Sequence, residues 1–275
     1  MEIKRYMSAQ EFLDDTSKFR ADDLVKTNLI SSIATSVAIG TRKYNECFWW
    51  AVVEGNEIVG IAIRTAPFGY VLSPMSPKGA ELLFNEISKL DVEADEISGP
   101  KAVIDHIAKS VILTVLEDEG ELVYQLTSLL KFPKLGDVRA ATNKDFDLVL
   151  NWFKDFIDAT KIRAFNTEEV VKSNIEKELL FILEVAGVPV SLGGYHLPLE
   201  FFGKKISRIG PVYTPKEFRK NGYASVITAY LTDKILNLNA IATLYTQANN
   251  PTSNKIYQEL GYVLVDEIRR IKYKK

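Results

Sequence analysis

The chain has 275 residues, of which 34 are lysine or arginine and 36 are aspartate or glutamate, so its formal net charge is −2. Hydrophobic residues make up 47 % and charged residues 25 % of the sequence, values that argue against disordered and fibrous proteins. A charge this close to neutral gives no basis for general nucleic-acid binding, which usually needs a strong basic excess. At roughly 100–200 residues per domain, the length predicts two domains or one large one.

Cysteine and histidine are too scarce for a disulfide framework or a metal centre. Cys47 is the only cysteine and there are two histidines, so the sequence contains no cluster with metal-ligand spacing. Residues 1–10 lack the apolar segment of a signal peptide, and no stretch approaches the roughly 18 apolar residues of a membrane span. We therefore expect a protein of the reducing cytoplasm with neither a metal nor a membrane partner.

In the first half, hydrophobic periodicity predicts two helices and then a region of mixed strands and helices. Helices are predicted over residues 9–18, 22–43, 79–90 and 101–111, and strands over 48–54, 57–65, 70–73, 96–98 and 121–130. Residues 131–137 contain proline and glycine without periodicity. We place the domain boundary there, with one domain at 1–132 and the other at 137–275.

The second half repeats the order of the first. A strand begins at Val138, and the later elements are helices over about 144–159 and 167–178, strands over 180–186, 189–196, 206–213, 242–248 and 262–273, and helices that open near residues 223 and 251. Gly187 occupies the hairpin position that Gly55 has in the first half. This self-similarity predicts that the two halves are copies of one fold.

One loop distinguishes the two halves. In the second half, the strand that ends at Tyr213 is followed by a basic segment with Arg219, Lys220 and Gly222, which opens a helix. Such a loop is typical of an anion site, because the amides of the first helical turn and the helix dipole face the ligand. Residues 73–83 of the first half lack this Arg-x-x-Gly-x-Ala pattern, so we expect no pyrophosphate site there.

Three segments of the second half resemble the signature of the GNAT superfamily of acyl-CoA-dependent N-acyltransferases. They are Val-Tyr-Thr-Pro at 212–215, Arg-Lys-Asn-Gly-Tyr-Ala-Ser at 219–225, and Asn-Pro at 250–251 followed by Tyr-Gln-Glu-Leu-Gly-Tyr at 257–262. They are most similar to the glycine-N-acyltransferase-like branch. The first half resembles the degenerate copy of tandem members. The resemblance implies an α+β chain of two GNAT-like domains, each with a mixed, mostly antiparallel sheet flanked by helices.

The resemblance also implies a cofactor, an acceptor and a set of site residues. The cofactor is acetyl-CoA or another acyl-CoA, and the acceptor is an amine of a small molecule or peptide. The implied cofactor-binding residues are Arg219, Lys220, Asn221, Gly222, Tyr223, Ala224 and Ser225 at the pyrophosphate, Val212, Tyr213 and Thr214 along the pantetheine arm, Asn250 and Ser253 as caps or contacts of that arm, and Tyr257 near the sulfur.

Acyl transfer from a thioester to an amine needs a neutral amine, a donor for the carbonyl oxygen and a proton for the departing thiolate. A backbone N–H near Val212 or Tyr213 would serve as the donor, and Tyr257 is our candidate for the group that supplies the proton. The alternative is that Tyr257 is a core aromatic. Glu184 or His196 could act as the base through water, but we prefer to interpret them as a solvent-facing residue on a half-exposed strand and a surface histidine, respectively.

Two other functions stay open at this stage. The chain could bind acyl-CoA without catalysis and act as a scaffold. It could also modify RNA by means of the basic residues Arg269, Arg270, Lys272, Lys274 and Lys275, although the polar face of an exposed strand explains these cations more simply. The sequence favours an N-acyltransferase, most simply an N-acetyltransferase, with nucleic acid an unlikely partner.

Overall fold

A computed structural model describes residues 1–90, 94–111, 113–130, 134–162, 166–201 and 203–274. The strands are β1 (Glu2–Tyr6), β2 (Cys47–Glu54), β3 (Glu57–Thr65), β4 (Tyr70–Leu72), β5 (Glu96–Pro100), β6 (Thr114–Leu126), β7 (Asp137–Ala140), β8 (Leu180–Val185), β9 (Val188–Tyr195), β10 (Leu199–Phe201), β11 (Lys204–Tyr213), β12 (Ala240–Gln247) and β13 (Val263–Lys274). The helices are α1 (Ala9–Asp15), α2 (Ser17–Asp22), α3 (Leu24–Ala38), α4 (Pro77–Ile87), α5 (Lys101–Ser110), α6 (Phe146–Thr160), α7 (Thr167–Glu176), α8 (Tyr223–Asn237) and α9 (Pro251–Glu259).

The first of two compact units comprises Met1–Leu122 and Val265–Lys275. Its strands follow the order β1-β2-β3-β4-β5-β13-β6, and β4 runs parallel to β5. Neighbouring residues of β2 face opposite sides, since successive side chains alternate along a strand. Trp50 packs in the cluster that contains Leu83 of α4 and Ile104 of α5, whereas Trp49 packs with Phe12 of α1. Helices therefore cover both faces of this sheet.

Ion pairs join basic residues of β13 to acidic residues of β6 and α5 within the first unit. Arg269 lies 2.7 Å from Asp118 and 2.9 Å from Asp105, and Arg270 pairs with Glu119. Lys272 lies 3.5 Å from Glu117. These contacts explain why β6 begins at Thr114, earlier than the predicted 121–130, since its acidic residues have partners that are distant in sequence. They also account for three of the tail cations without a nucleic acid; Lys275 lies outside the described residues.

The second unit spans Val123–Leu264, and its strands follow the order β6-β12-β11-β9-β8-β7, with β10 paired to β11. Helices α6 and α7 cover one face, where Trp152 and Val171 pack against Ile182 and Leu192. Helix α8 packs on β9 so closely that a Cβ on Gly193 would lie 2.7 Å from the Ile227 side chain. Glycine at position 193 therefore allows this close contact. The contact brings the start of α8 close to the end of β11.

The final strand departs from the predicted division of the chain. Residues Val265–Lys275 cluster with the first unit, although the sequence analysis assigned them to a domain at 137–275. The reason is the antiparallel pairing of β13 with β5, from Ile268 opposite Pro100 to Lys272 opposite Glu96. No local pattern reveals a partner about 170 residues away. Of the predicted boundary segment 131–137, residues 131–133 lie outside the described residues.

Most predicted elements occur within a few residues of their expected bounds. The exceptions are β1 and β10, which the sequence analysis did not predict, and the helix over 9–18, which divides at Thr16 into α1 and α2. The helix over 22–43 ends at Ala38. Each unit contains a hairpin, a third strand, a helix, a strand parallel to the third, and a second helix.

The described residues contain neither a membrane-spanning helix nor a grouped metal site. The longest helices in these ranges have 15 residues, and none combines the length and the apolar character needed to cross a membrane. Within the same ranges, no three histidine, cysteine, aspartate or glutamate side chains are grouped as a metal site would require.

Candidate functional site

The parallel strands β11 and β12 separate in the middle of the second unit. Their register runs from Lys205 opposite Ala240 to Ile209 opposite Leu244, yet β11 continues to Tyr213 and β12 to Gln247. The pairing of β11 with β9 shifts between Ile209 and Val212, at a bulge that contains Gly210 and Pro211. We call residues 210–213 and 245–247 the β11–β12 opening, because backbone groups that face it are not used by a ladder between these strands.

The loop after β11 leads into α8 through a glycine in the left-handed region. Gly222 has a φ of +77° and is the residue before the first helical turn. The bond from Val226 N to Gly222 O, 3.1 Å long, is the first one of the helix, so the amides of residues 223–225 have no partner within the helix. A Cβ built on Gly222 meets no atom within 4 Å. The first amides of α8 thus have no partner within the helix and no side-chain cap, and the space beside the Gly222 Cα is open.

Side chains of the loop hold its backbone in shape. Arg219 Nε donates to the carbonyl of Thr214 over 3.0 Å, and Asn221 Nδ2 donates to the carbonyl of Phe218 over 3.1 Å. The Thr214 hydroxyl lies 2.9 Å from that of Ser191 on β9. Arg219 and Asn221, predicted as cofactor-binding residues, therefore also build the loop, while the Lys220 side chain is exposed.

The corresponding helix of the first unit starts differently. Ser76 precedes α4, and its hydroxyl accepts from Gly79 N over 3.2 Å. Pro77, the first residue of α4, has no N–H at all. The N-terminus of α4 is capped by its own chain, whereas that of α8 has no side-chain cap.

Tyr257 lies in the last turn of α9 and is buried, with 9 % of its surface exposed. Its ring centroid is 6.2 Å from that of Tyr124 and 6.1 Å from that of Tyr262. Burial raises the pKa of Tyr257 to about 12, against the opposing effect of a hydrogen bond with Ser253. Tyr257 is thus a core aromatic whose hydroxyl stays protonated at neutral pH, so the two sequence interpretations are compatible.

The start of α9 is ordered by the residues predicted there. Asn250 Oδ1 accepts from Ser253 N over 3.1 Å, which is an N-cap. Asn250 is therefore a helix cap. Ser253 links that cap to Tyr257, because its side chain hydrogen-bonds the tyrosine one turn later.

The sequence analysis missed the residues that enclose Tyr257. Tyr124 comes from β6 and is 1 % exposed. Tyr262 is 3 % exposed, and its hydroxyl lies 2.7 Å from that of Thr232 on α8. The only sequence signal was their apolar neighbourhood, which predicts burial and not a shared contact.

Glu184 is engaged in an ion-pair network. Arg139 Nη2 lies 2.8 Å from Glu184 and 2.7 Å from Asp145, and Asp145 accepts from the Thr142 amide over 2.8 Å. The two carboxylates raise the pKa of Arg139 further, and Arg139 holds that of Asp145 well below its usual range. This network joins β7 and β8 to the start of α6, so Glu184 is an ion-pair partner and not the solvent-facing side chain that the sequence predicted.

We expect Glu184→Gln to leave acyl transfer within about twofold of wild type and to lower the free energy of unfolding by about 1 kcal/mol, since the pair with Arg139 is partly exposed. Steady-state rates and urea denaturation measure the two effects. Glu176→Gln, a change of an exposed residue on α7, is the matched control. A tenfold loss of turnover at unchanged stability would instead make Glu184 the base.

His196 follows β9 and is exposed. Its Nε2 lies 3.3 Å from Arg208 Nη2. Because arginine only donates, this nitrogen must accept, which places the histidine proton on Nδ1. Arg208 also lies over the Tyr245 ring, 5.5 Å from its centroid. The lone pair that a base would use is therefore directed at a guanidinium, which favours a structural role for His196.

Known proteins resemble the chain in fold more than in sequence. The family model described as FR47-like protein matches residues 196–271. An acetyltransferase of the GNAT family from Colwellia psychrerythraea is 15 % identical, with a TM-score of 0.64 over 100 % of both chains. A Drosophila protein is 10 % identical, with a TM-score of 0.68 over 99 % of this chain and 98 % of its own.

A third solved structure, a GCN5-related N-acetyltransferase from Sphaerobacter thermophilus, is 14 % identical, with a TM-score of 0.54 over 87 % of this chain and 85 % of its own. No curated protein matches the sequence. At these identities the likeness concerns the fold. The chain has the α+β fold of GNAT-family acetyltransferases, with a mixed sheet flanked by helices.

Proposed function

We propose that the protein is an acyl-CoA-dependent N-acyltransferase that moves an acyl group, most simply acetyl, to an amine. The observation that carries this proposal is that two features are adjacent in the chain. The β11–β12 opening is followed directly by the uncapped start of α8 at Gly222. An opening in a sheet next to free helical amides suits a long ligand with an anionic end.

The residues present fit CoA by their chemistry. The pyrophosphate would be held by the amides of 223–225, with Arg219, Lys220 and Asn221 shaping and charging the loop, and Gly222 leaves open space for it. The pantetheine arm would lie along Val212, Tyr213 and Thr214. When bound, acyl-CoA supplies a carbonyl that is activated as a thioester.

In the reaction, residues of the chain would stabilise the negative charge that develops on the carbonyl oxygen and would donate a proton to the departing sulfur. An N–H of β11 beyond the bulge would donate to the carbonyl oxygen as negative charge develops. Tyr257, neutral because its pKa is raised, would donate its proton to the departing sulfur. Glu184 and His196 are engaged elsewhere, so we propose that the amine loses its proton to water or reacts as its neutral fraction.

The first unit is proposed to be a degenerate copy of the same fold. The shared order of its elements supports this proposal, and so does the capped start of α4, where Ser76 and Pro77 leave fewer amides for an anion. The glycine-N-acyltransferase-like branch, a small-molecule or peptide acceptor and a cytoplasmic location are also proposals, which rest on the motif at 212–215 and on the single cysteine.

Calorimetry with acetyl-CoA, followed by thiol release with a panel of amines, tests the proposed function. We expect micromolar binding and amine-dependent release of CoA. The result that contradicts the proposal is a protein that neither binds acetyl-CoA nor releases thiol with any amine.

A second candidate is an acyl-CoA-binding scaffold without catalysis. The engagement of Glu184 by Arg139 and of His196 by Arg208 favours it, because no side-chain base is free at either position. Binding of acetyl-CoA with no thiol release above the uncatalysed rate would support the scaffold over the enzyme.

A further inference from the structure

Helix α6 contacts both strand segments that border the β11–β12 opening, which we call the arms of the opening. The Tyr213 hydroxyl at the end of β11 donates to Asp155 Oδ2 over 3.0 Å. Gln247 Nε2 at the end of β12 donates to the Thr160 carbonyl over 3.0 Å. One helix therefore binds the ends of two strands that no longer bind each other.

The spacing of the two anchors suits a separated pair of strands. Asp155 and Thr160 are five residues apart, which corresponds to about 7.5 Å along a helix. Neighbouring strands in a ladder lie about 4.8 Å apart. The anchors are thus spaced more widely than the strands of a closed ladder.

Further contacts fix the positions of Tyr213 and Gln247. Tyr213 is 8 % exposed, and its ring centroid lies 6.4 Å from that of Trp152, which is also on α6. The Gln247 carbonyl accepts from the amide of Asn250 over 3.1 Å, and Asn250 caps α9. The end of β12 is therefore joined both to α6 and to the helix that carries Tyr257.

We propose that α6 braces the β11–β12 opening, and that Asp155 and Gln247 are positioning residues that set its width. This inference rests on the proposed function only where acyl-CoA is named as the occupant. Neither residue touches the reacting atoms in this view. Their effect passes through the backbone of β11 and β12. Loss of an anchor therefore weakens binding of the pantetheine arm and affects the chemical step less.

Five variants test the brace, one of which combines Asp155→Ala with Gln247→Met. Asp155→Ala and Gln247→Met each remove one anchor, and Asp155→Asn keeps an oxygen that can accept from Tyr213. Asp158→Ala removes an exposed carboxylate from the same helix and is the matched control. Acetyl-CoA affinity, kcat, KM and amide hydrogen exchange at residues 212–214 and 245–248 are measured for each protein.

We expect Asp155→Ala and Gln247→Met each to raise Kd and KM for acetyl-CoA about three- to tenfold, and the double variant to exceed either, while kcat changes less. Exchange at both arms should accelerate in these variants. Asp155→Asn and Asp158→Ala should stay within about twofold of wild type.

The hydrogen-exchange measurement separates the two claims, because it needs no ligand. Faster exchange at both arms in a protein that does not bind acetyl-CoA would support the brace and contradict the proposed function. Unchanged exchange in the double variant, or equal effects of Asp155→Ala and Asp158→Ala, would overturn the brace whatever the ligand.

Discussion

Gly222→Glu is expected to reduce the affinity for acetyl-CoA about 100-fold or more, so that the ligand no longer raises the melting temperature. The new carboxylate would stand at the uncapped start of α8, where it would occupy the anion position itself and repel a pyrophosphate. A side chain at φ +77° adds strain of about 1 kcal/mol. Thermal shift and calorimetry with acetyl-CoA measure the effect.

Gly187→Glu controls for strain and added charge. Gly187 has a φ of +74° in the β8–β9 turn of the same unit, and a Cβ there also meets no atom within 4 Å. This variant should lose a similar amount of stability and still bind acetyl-CoA normally. Equal affinities of the two variants would remove the start of α8 from the proposed site.

Tyr257→Phe is expected to lower kcat about 100-fold and to leave acetyl-CoA affinity within about twofold. The ring stays packed between its tyrosine neighbours, and the change removes the proton donor together with its hydrogen bond to Ser253. Since the pKa of Tyr257 is raised to about 12, the hydroxyl remains protonated as the pH rises from 7 to 10. The wild-type rate should therefore show no alkaline decline from this group below about pH 11.

Tyr124→Phe is the matched control, because within the described ranges its hydroxyl has a single long contact, 3.5 Å from Gln258 Nε2, while its ring packs on Tyr257. It should retain nearly full turnover. If Tyr257→Phe turns over as fast as Tyr124→Phe, the hydroxyl of Tyr257 takes no part in the reaction.

Local patterns sufficed to predict the elements that carry the proposed site. The Val-Tyr-Thr-Pro strand end and the Gly222 loop are adjacent in sequence, and the Asn250 cap and Tyr257 are separated by two helical turns. Their types and order could thus be predicted from composition and period. Gly210-Pro211 within a strand was a further signal of a bulge, and the sequence analysis did not use it.

Contacts between distant segments could not be predicted in this way. Tyr124 meets Tyr257, and Asp155 meets Tyr213, because strand order and helix packing bring them together, and neither pair has a local signature. The same holds for Arg269 with Asp118, a pair that joins β13 to the acidic segment of β6.

The placement of β13 has a consequence for biosynthesis. Residues Val265–Lys275 complete the sheet of the first unit, but the ribosome makes them after the whole of the second unit. The sheet of the first unit therefore cannot be complete when residues 1–122 have left the ribosome. Until β13 is made, the edge of β5 that pairs with it has no partner strand. The unit proposed to hold acyl-CoA is synthesised in full before the sheet of the first unit can be completed.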